Sequence, residues 1–398
     1  MRESWRWFGP LDTIPLDEVA QTGATGIVTA LHEIPYGVVW SVDAIRERQA
    51  LIASDPSLNL TWNVVESLPI HEDIKRGQGD LSTLFANYRQ SLANLAECGV
   101  TTICYNFMPV IDWTRTDLGA RRRGGARSLR FSAPRMAAFD IHMLERDGAG
   151  EDWSPETRDA ARAWIDESTE ADRETLLTSI MAGLPGAYDR YDINGLRDVL
   201  ASWTGFTRDD LRGSYARFLA EIIPTAEELG IRMGVHPDDP PRPLMGLPRI
   251  VSNADDIAWI LGRQDSPANG LTLCSGSLGA NPANDVPAIA ARFTDRIAFA
   301  HLRNVTKDPD GSFEEAEHLT GDTDMVALVA TLLAEEKRRA AAGRPDAEIP
   351  FRPDHGHEIG PDIGRGAHPG YPLVGRLRGL AELRGVIAAL TSKEPAHV

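Results

Sequence analysis

The chain has 398 residues, of which 42% are hydrophobic and 25% are charged, so it can bury a substantial core. Its formal net charge of -17 at pH 7 argues against nucleic acids and anionic membrane surfaces as partners, because both attract basic patches. No early apolar stretch predicts a signal peptide, and no run of about 18 apolar residues predicts a membrane span. Three cysteines in so long a chain do not suggest a disulfide framework, and we expect a protein of the reducing cytoplasm.

Eight short apolar segments predict buried parallel strands. Strands that are covered on both faces are nearly continuous in Val, Ile, Leu and aromatic residues, as these segments are. The segments lie near residues 5–8, 25–30, 61–66, 101–107, 231–236, 271–275, 297–301 and 349–354.

Helical patterns lie between these segments. Ser41 can cap a helix that runs to about residue 54, and Asp80 can cap one that stops at Gly99. Further helical patterns cover 211–229, 321–342 and 373–390. This alternation predicts an α/β fold, a (β/α)8 TIM-type barrel, as a single catalytic domain over residues 1–398. An open doubly wound sheet is the alternative, but no Gly-x-Gly-x-x-Gly follows the first strand.

A long insertion separates the fourth and fifth predicted strands. It covers about residues 111–210, whereas a typical βα loop has about 2–6 residues. The insertion contains Arg121-Arg122-Arg123 and acidic helical patterns around 151–174. We expect a helical lid or an oligomer contact, and a peripheral helical decoration is the alternative.

Four consecutive predicted strands end on residues that can bind a metal, namely His236, Cys274, His301 and Asp354. The carboxyl ends of barrel strands meet at one mouth, so these side chains could form a mixed N/S/O site. Taken singly, the histidines could be loop or core residues and the cysteine could be structural, whereas a carboxylate that ends a buried strand needs a strong partner. The four together favour a metal-dependent enzyme.

Further polar residues suit proton transfer near this mouth. His355 follows Asp354, and an imidazole pKa of about 6.5 is suited to moving protons at neutral pH. Tyr371 lies in a turn-rich loop after the last strand and could return over the mouth, although a packed loop tyrosine is the alternative. His357 could orient a metal ligand from behind or be a solvated loop histidine.

Other residues are candidates for substrate binding. Arg303 and Asn304 could grip a carboxylate or hydroxyls, although Arg303 could instead pair with an acidic helix. Glu66, His71 and Asn106 follow the early strands and could hydrogen-bond a polyol, with structural loop contacts as the alternative.

Longer strings of residues are more specific than these single positions. They are Trp5-Arg6-Trp7-Phe8-Gly9-Pro10, Val64-Val65-Glu66-Ser67, Pro69-Ile70-His71-Glu72-Asp73-Ile74-Lys75, Cys104-Tyr105-Asn106-Phe107-Met108-Pro109-Val110, Asp112-Trp113-Thr114-Arg115-Thr116, Val235-His236-Pro237-Asp238-Asp239-Pro240-Pro241, Arg352-Pro353-Asp354-His355-Gly356-His357 and Gly375-Arg376-Leu377-Arg378-Gly379-Leu380-Ala381. Through them the chain resembles, essentially end to end, the D-mannonate dehydratase family of bacterial glucuronate degradation. The resemblance implies a barrel that uses Mn2+ or Fe2+.

The resemblance also implies roles for individual residues. It makes His236, Cys274, His301 and Asp354 the metal ligands, and it makes His355 and Tyr371 the catalytic pair. The implied lyase is a hydro-lyase that removes water from D-mannonate to give 2-dehydro-3-deoxy-D-gluconate in hexuronate catabolism. We predict Tyr371 as the base at C2 and His355 as the acid at C3.

Two other functions compete with this one. A metal-dependent sugar isomerase or epimerase would share the barrel, but such sites tend to be rich in carboxylates, so Cys274 speaks against it. A non-catalytic sugar-acid-binding barrel would not need His355 and Tyr371. We also expect a homo-oligomer, with a dimer favoured.

Overall fold

A computed structural model describes residues 1–183 and 192–392. Within these residues the strands are β1 (Arg2–Arg6), β2 (Gly26–Thr29), β3 (Thr61–Glu66), β4 (Thr102–Tyr105), β5 (Asp117–Arg121), β6 (Arg127–Phe131), β7 (Arg232–Val235), β8 (Asn269–Cys274), β9 (Ile297–Leu302), β10 (Asn304–Lys307), β11 (Phe313–Ala316) and β12 (Pro350–Pro353). Eight of them close into a barrel in the order β1-β12-β9-β8-β7-β4-β3-β2, and every neighbouring pair is parallel. The predicted (β/α)8 barrel is therefore confirmed.

Helices alternate with the barrel strands along the chain. They are α1 (Leu16–Gln21), α2 (Val42–Ile52), α3 (Glu72–Arg76), α4 (Ser82–Glu97), α5 (Ala133–Ala138), α6 (Pro155–Glu167), α7 (Glu170–Met181), α8 (Ile193–Ala201), α9 (Arg208–Glu228), α10 (Ala254–Leu261), α11 (Ser275–Gly279), α12 (Val286–Arg292), α13 (Met325–Ala341) and α14 (Leu373–Thr391). None of the helices in the described ranges is both long and apolar enough to cross a membrane.

The element boundaries follow the sequence patterns closely. The third strand covers the predicted residues 61–66, and the Ser41 side chain caps α2 by accepting a hydrogen bond from the Ala44 N–H at 3.2 Å. The first strand differs, because it begins at Arg2 instead of residue 5. Arg2 and Glu3 pair with β12, and hydropathy does not reveal such a pairing of polar residues.

The insertion is a mixed structure and not only a helical one. Besides helices α5 to α8 it contains β5 and β6, and its residues 184–191 lie outside the described part of the chain. β5 and β6 join the hairpin of β10 and β11, which follows β9, in a four-stranded antiparallel sheet. We call this the cap sheet. It lies at the carboxyl-terminal mouth, because Glu315 of β11 contacts His355 beyond β12.

The interior of the barrel is apolar below this mouth. Val28, Val64, Cys104 and Phe299 form a cluster of buried side chains inside the barrel. Since side chains alternate along a strand, Phe299 faces the same side as His301, and their rings meet edge to face at 4.7 Å. A cavity of about 720 Å3 lies at the opposite, amino-terminal end, lined by residues such as Trp62, Ile231 and Pro350, and it is remote from the mouth. The polar residues at the carboxyl-terminal mouth therefore form a separate site.

Candidate active site

Three of the predicted metal ligands converge at the carboxyl ends of β7, β8 and β9. Donor atoms of His236, Cys274 and His301 all lie within 4.8 Å of one another. His236 Nε2 is 3.1 Å from His301 Nδ1, and His236 Nδ1 is 2.6 Å from the Pro237 carbonyl oxygen. An N–H at His236 Nδ1 would donate to that carbonyl and leave a lone pair on Nε2 that faces the other two donors.

The fourth predicted ligand, Asp354, follows β12 and lies close to two of these donors. Its Oδ2 is 3.7 Å from Cys274 Sγ and 3.9 Å from His301 Nδ1. The carboxylate also contacts Arg352 and Arg303, and the Arg303 Nε lies 2.8 Å from Oδ2. Burial alone would raise the pKa of Asp354, but Arg352 and the other nearby positive groups hold it well below its usual value. Asp354 is therefore a carboxylate anion that touches two of the three converging donors.

The chemistry of the donor set suits a divalent transition metal. Burial would raise the pKa of the Cys274 thiol, but Arg303 and His236 lower it well below the usual value, so the thiolate is favoured. Burial would lower the pKa of His236, but the neighbouring Cys274 and Asp354 raise it to about 9 overall. The site thus attracts positive charge, and two imidazoles, one thiolate and one carboxylate could hold a metal ion.

His355 is oriented by a carboxylate of the cap sheet. Its Nδ1 lies 2.9 Å from Glu315 Oε1, and its Nε2 lies 3.9 Å from Asp354 Oδ1. Burial would raise the pKa of Glu315, but Arg303 and His355 lower it to about 2, so Glu315 is ionised at neutral pH. An imidazole that donates to a carboxylate through Nδ1 keeps Nε2 free to accept a proton.

Tyr371 reaches the same carboxylate from the loop before α14. Its hydroxyl donates to Asp354 Oδ1 at 3.3 Å, and its ring meets the His355 ring edge to face at 5.1 Å. Burial raises the pKa of Tyr371, and the positive charge of Arg352 offsets only part of the effect. The phenol is therefore protonated and lies beside both Asp354 and His355.

Of the residues predicted to bind substrate, Arg303 and Asn304 are fully engaged within the protein. The Arg303 guanidinium is 1% exposed and contacts Asp239, Glu315 and Asp354. The Asn304 amide makes four hydrogen bonds to the backbone of β10 and of residues 318–323. The structure brings Arg303 to the site, whereas the Asn304 side chain holds the backbone within and next to the cap sheet.

The remaining predicted residues are divided between the site and its surroundings. Glu66 binds Arg352 through both oxygens, at 2.7 and 3.0 Å, and its Oε2 is 3.3 Å from His301 Nε2. His71 caps α3 by accepting from the Asp73 N–H at 3.2 Å, and Asn106 is half-buried after β4. His357 Nε2 contacts the Glu315 carbonyl oxygen at 2.9 Å. Glu66 thus touches a candidate ligand, whereas His357 supports the strand that carries Glu315.

Sequence reasoning assigned no role to three residues that hold the site together. Asp239 and Arg115 form a buried ion pair at 2.8 Å, and Arg115 reaches Glu315 at 3.1 Å. Asp239 and Arg115 belong to the sequence strings that carry the family resemblance, and this membership could have singled them out as site residues. Glu315 lies in a short polar strand without any motif, and only its burial at 2% exposure distinguishes it.

Comparisons with known proteins show the family of this chain. The sequence profile of the D-mannonate dehydratase (UxuA) family matches residues 1–397. The chain is 53% identical to a mannonate dehydratase of Chromohalobacter salexigens, over 98% of this chain and 99% of the relative. It is also 53% identical to one of Rhizobium meliloti, over 98% and 97%. A crystal structure of mannonate dehydratase from Streptococcus suis serotype2 has a TM-score of 0.74 and 32% identity, and the match covers 98% of this chain and 94% of that one. These matches confirm the hydro-lyase function predicted from the sequence strings, and the chain belongs to the D-mannonate dehydratase family.

Proposed function

We propose that this chain removes water from D-mannonate to give 2-dehydro-3-deoxy-D-gluconate, with a bound divalent metal. The observation that carries the proposal is the convergence of His236, Cys274 and His301 within 4.8 Å, with Asp354 in contact with two of them. His355 and Tyr371 both lie against Asp354, so candidate proton-transfer groups border the candidate metal site.

We propose His236, Cys274, His301 and Asp354 as the ligands of Mn2+ or Fe2+. A divalent cation bound there would act as a Lewis acid for the negative charge that develops on the substrate carboxylate. The thiolate distinguishes this site from the oxygen-only sites that Mg2+ prefers. The other residues of the chain would then have to orient the sugar acid and move two protons.

For the proton transfers we propose His355 as the base at C2 and Tyr371 as the acid at C3. The hydrogen bond between His355 Nδ1 and Glu315 supports the first role, because it leaves Nε2 available to accept a proton. The Tyr371 hydroxyl already donates to Asp354, and a protonated phenol can protonate the departing C3 hydroxyl. This order is the reverse of the one that we predicted from the sequence.

The first test is turnover of D-mannonate by metal-stripped protein before and after addition of Mn2+ or Fe2+. We expect activity to return with the metal and the product to be the 2-keto-3-deoxy acid. A folded, metal-loaded protein without turnover would refute the proposal.

A second test separates the two proton-transfer roles. Exchange of the C2 hydrogen with deuterated solvent requires the base and can proceed without the C3 acid. We expect exchange to survive in Tyr371→Phe and to be lost in His355→Asn. Exchange that survives in His355→Asn but not in Tyr371→Phe would restore the order predicted from the sequence.

The cellular context follows from the same proposal. We propose that the enzyme acts in hexuronate catabolism in the cytoplasm, as a homo-oligomer with a dimer favoured. Cys104 and Cys274 are buried and unpaired, as is typical of a reducing compartment. The position of the cap sheet over the mouth supports a role for the insertion as a lid. Size-exclusion chromatography with light scattering measures the oligomeric state directly.

A further inference from the structure

Arg6, the last residue of β1, has a buried guanidinium without a carboxylate partner. Its side chain is 6% exposed, and no carboxylate of residues 1–183 or 192–392 lies within ion-pair distance of it. Its polar contacts are to neutral groups, the Val28 carbonyl oxygen at 3.4 Å from Nη1 and His32 Nε2 at 3.3 Å from Nη2. Burial lowers the pKa of Arg6, and the more distant charge of Glu66 offsets only part of this. The positive charge is therefore only partly compensated.

Two other buried arginines at this end of the barrel differ from Arg6 in this respect. Arg115 contacts Asp239 and Glu315, and Arg352 contacts Glu66 and Asp354. A third, Arg376, also lacks a carboxylate partner among the described residues, but it donates to the Pro372 and Arg6 carbonyl oxygens and lies 3.9 Å from the centre of the Trp5 ring. A buried charge without a partner is costly, so a fold retains one only where something else compensates it. An anionic ligand in the mouth would be such a partner.

One aromatic ring, that of Phe8, contacts both the Arg6 guanidinium and the candidate catalytic Tyr371. The central carbon of the guanidinium lies 4.6 Å from the centre of the Phe8 ring, and Phe8 meets the Tyr371 ring edge to face at 4.9 Å. His32 is neutral, because burial and the nearby Arg6 and Arg48 lower its pKa to about 3, and a neutral imidazole does not compensate the charge of Arg6. His32 Nε2 can instead accept a hydrogen bond from Arg6 and orient it.

We propose that Arg6 binds the carboxylate of the sugar-acid substrate. The inference rests on the proposed dehydration of D-mannonate, and it gives to Arg6 the role that the sequence suggested for Arg303. Removal of the C2 proton adds a second negative charge to the carboxylate, and a guanidinium next to it would stabilise that charge as well as bind the substrate. Arg303 is less suited to this role because three carboxylates of the protein already surround it.

The test compares an acid with its neutral amide. For metal-loaded wild type, Arg6→Gln and Arg6→Lys, we would measure KM and kcat for D-mannonate and the inhibition constant of D-mannonamide. We expect Arg6→Gln to raise KM for the acid about 10- to 100-fold, which is the size expected for a lost charge-assisted hydrogen bond. The inhibition constant of the amide should change less than about threefold, and Arg6→Lys should recover part of the affinity for the acid.

Arg48→Gln is the matched control. Arg48 is 5% exposed, but its guanidinium already pairs with Glu33 at 2.9 Å. We expect this variant to lose stability and to keep the wild-type ratio of acid to amide affinity. Equal weakening of acid and amide in Arg6→Gln, or an unchanged acid affinity, would overturn the proposal.

Failure of the proposed reaction would be distinguishable from failure of this inference. If the wild type binds the acid without dehydrating it, the same acid and amide pair can be compared by calorimetry, and the role of Arg6 is still decided. If the wild type binds the amide as tightly as the acid, no carboxylate is recognised and the inference is wrong.

Discussion

At the level of single residues, buried charges at the mouth compensate one another in pairs. Asp239 and Glu315 share the guanidiniums of Arg115 and Arg303, and all four side chains are at most 4% exposed. Each buried ion is acceptable only because its partners are present. His355 is hydrogen-bonded to this group through Glu315, so the orientation of its ring depends on charges outside the reacting centre.

Replacement of Glu315 tests this dependence. Glu315→Gln leaves two buried guanidiniums undercompensated, and we expect a loss of about 3–5 kcal/mol of unfolding free energy at pH 7 together with lower kcat. The folded pKa of about 2 lies below the unfolded value of about 4.3, so this stabilisation is complete above about pH 4.3 and is lost as pH falls through the folded pKa.

Urea unfolding from pH 7 down to pH 3.5 would measure the difference in unfolding free energy between the wild type and Glu315→Gln. It should be largest at neutral pH and should narrow as the pH falls below about 4.3. Glu314→Gln is the control on the same strand, where the partly exposed carboxylate pairs with Arg130, and it should cost less than about 1 kcal/mol. A pH-independent difference for Glu315→Gln would contradict the assigned charge.

Glu66 has a second role to test, as a positioning residue for His301. It lies 3.3 Å from His301 Nε2, and Arg352 holds it through two contacts. We expect Glu66→Gln to lower metal affinity about 10- to 100-fold, as loss of a carboxylate behind a histidine ligand usually does. Competition with a chromophoric chelator gives the affinity without any activity assay. The surface variant Glu97→Gln should bind metal as tightly as the wild type does. If Glu66→Gln bound metal as tightly as Glu97→Gln, Glu66 would not position His301.

At the level of elements, α14 supports the loop that carries Asp354, His355 and His357. The first turn of α14 packs so closely on this loop that a Cβ at Gly375 would lie 1.9 Å from the His357 carbonyl oxygen. A Cβ at Gly356 would likewise approach the Arg376 backbone nitrogen to 2.7 Å. The two glycines permit contact between backbones, and this contact fixes where the catalytic loop leaves β12.

Two glycines of the same helix provide a matched comparison. We expect Gly375→Ala to cost at least about 1–3 kcal/mol, because the backbone must shift, and to reduce kcat by displacing His355. Gly385 is exposed with no atom within 4 Å of a Cβ, so Gly385→Ala should stabilise the protein by about 0.5–1 kcal/mol. Chemical unfolding and kinetics of both variants check this, and similar behaviour of the two would refute the packing argument.

At the level of the whole molecule, the active site joins distant parts of the chain. The proposed metal ligands stand at the carboxyl ends of β7, β8, β9 and β12, whereas the cap sheet combines the insertion with the hairpin after β9. A metal that binds only the folded arrangement therefore links these parts energetically.

Metal binding should consequently raise the stability of the entire barrel. At a free metal concentration 100 times Kd we expect about 2.7 kcal/mol of added unfolding free energy and a higher Tm. Cys274→Ser should lose much of this increase, whereas Cys98→Ser, which changes a half-buried cysteine at the end of α4, should retain it. Thermal unfolding with and without Mn2+ measures the increase, and an unchanged increase in Cys274→Ser would argue against thiolate ligation.

The sequence by itself determined the barrel and the positions of the candidate ligands. Both depend on local patterns, since a buried strand is a largely apolar run and each candidate ligand stands at or just after its carboxyl end. His236, Cys274, His301 and Asp354 could therefore be selected before their convergence was known. The cap sheet was missed because β5 and β6 are short and polar, although Gly124-Gly125 between them was a turn signal.

Only the tertiary structure decided which charged residues are paired and which are free. Glu315 meets His355 across 40 residues of sequence and Arg115 across 200, and no local pattern encodes contacts at such separations. In the sequence, Arg303 lies just beyond a predicted strand and Arg6 lies within the predicted strand near residues 5–8, and neither position shows whether the guanidinium meets a carboxylate. Folding surrounds Arg303 with carboxylates and leaves Arg6 without one, because the charge that each guanidinium meets depends on strands that are neighbours only in the closed barrel.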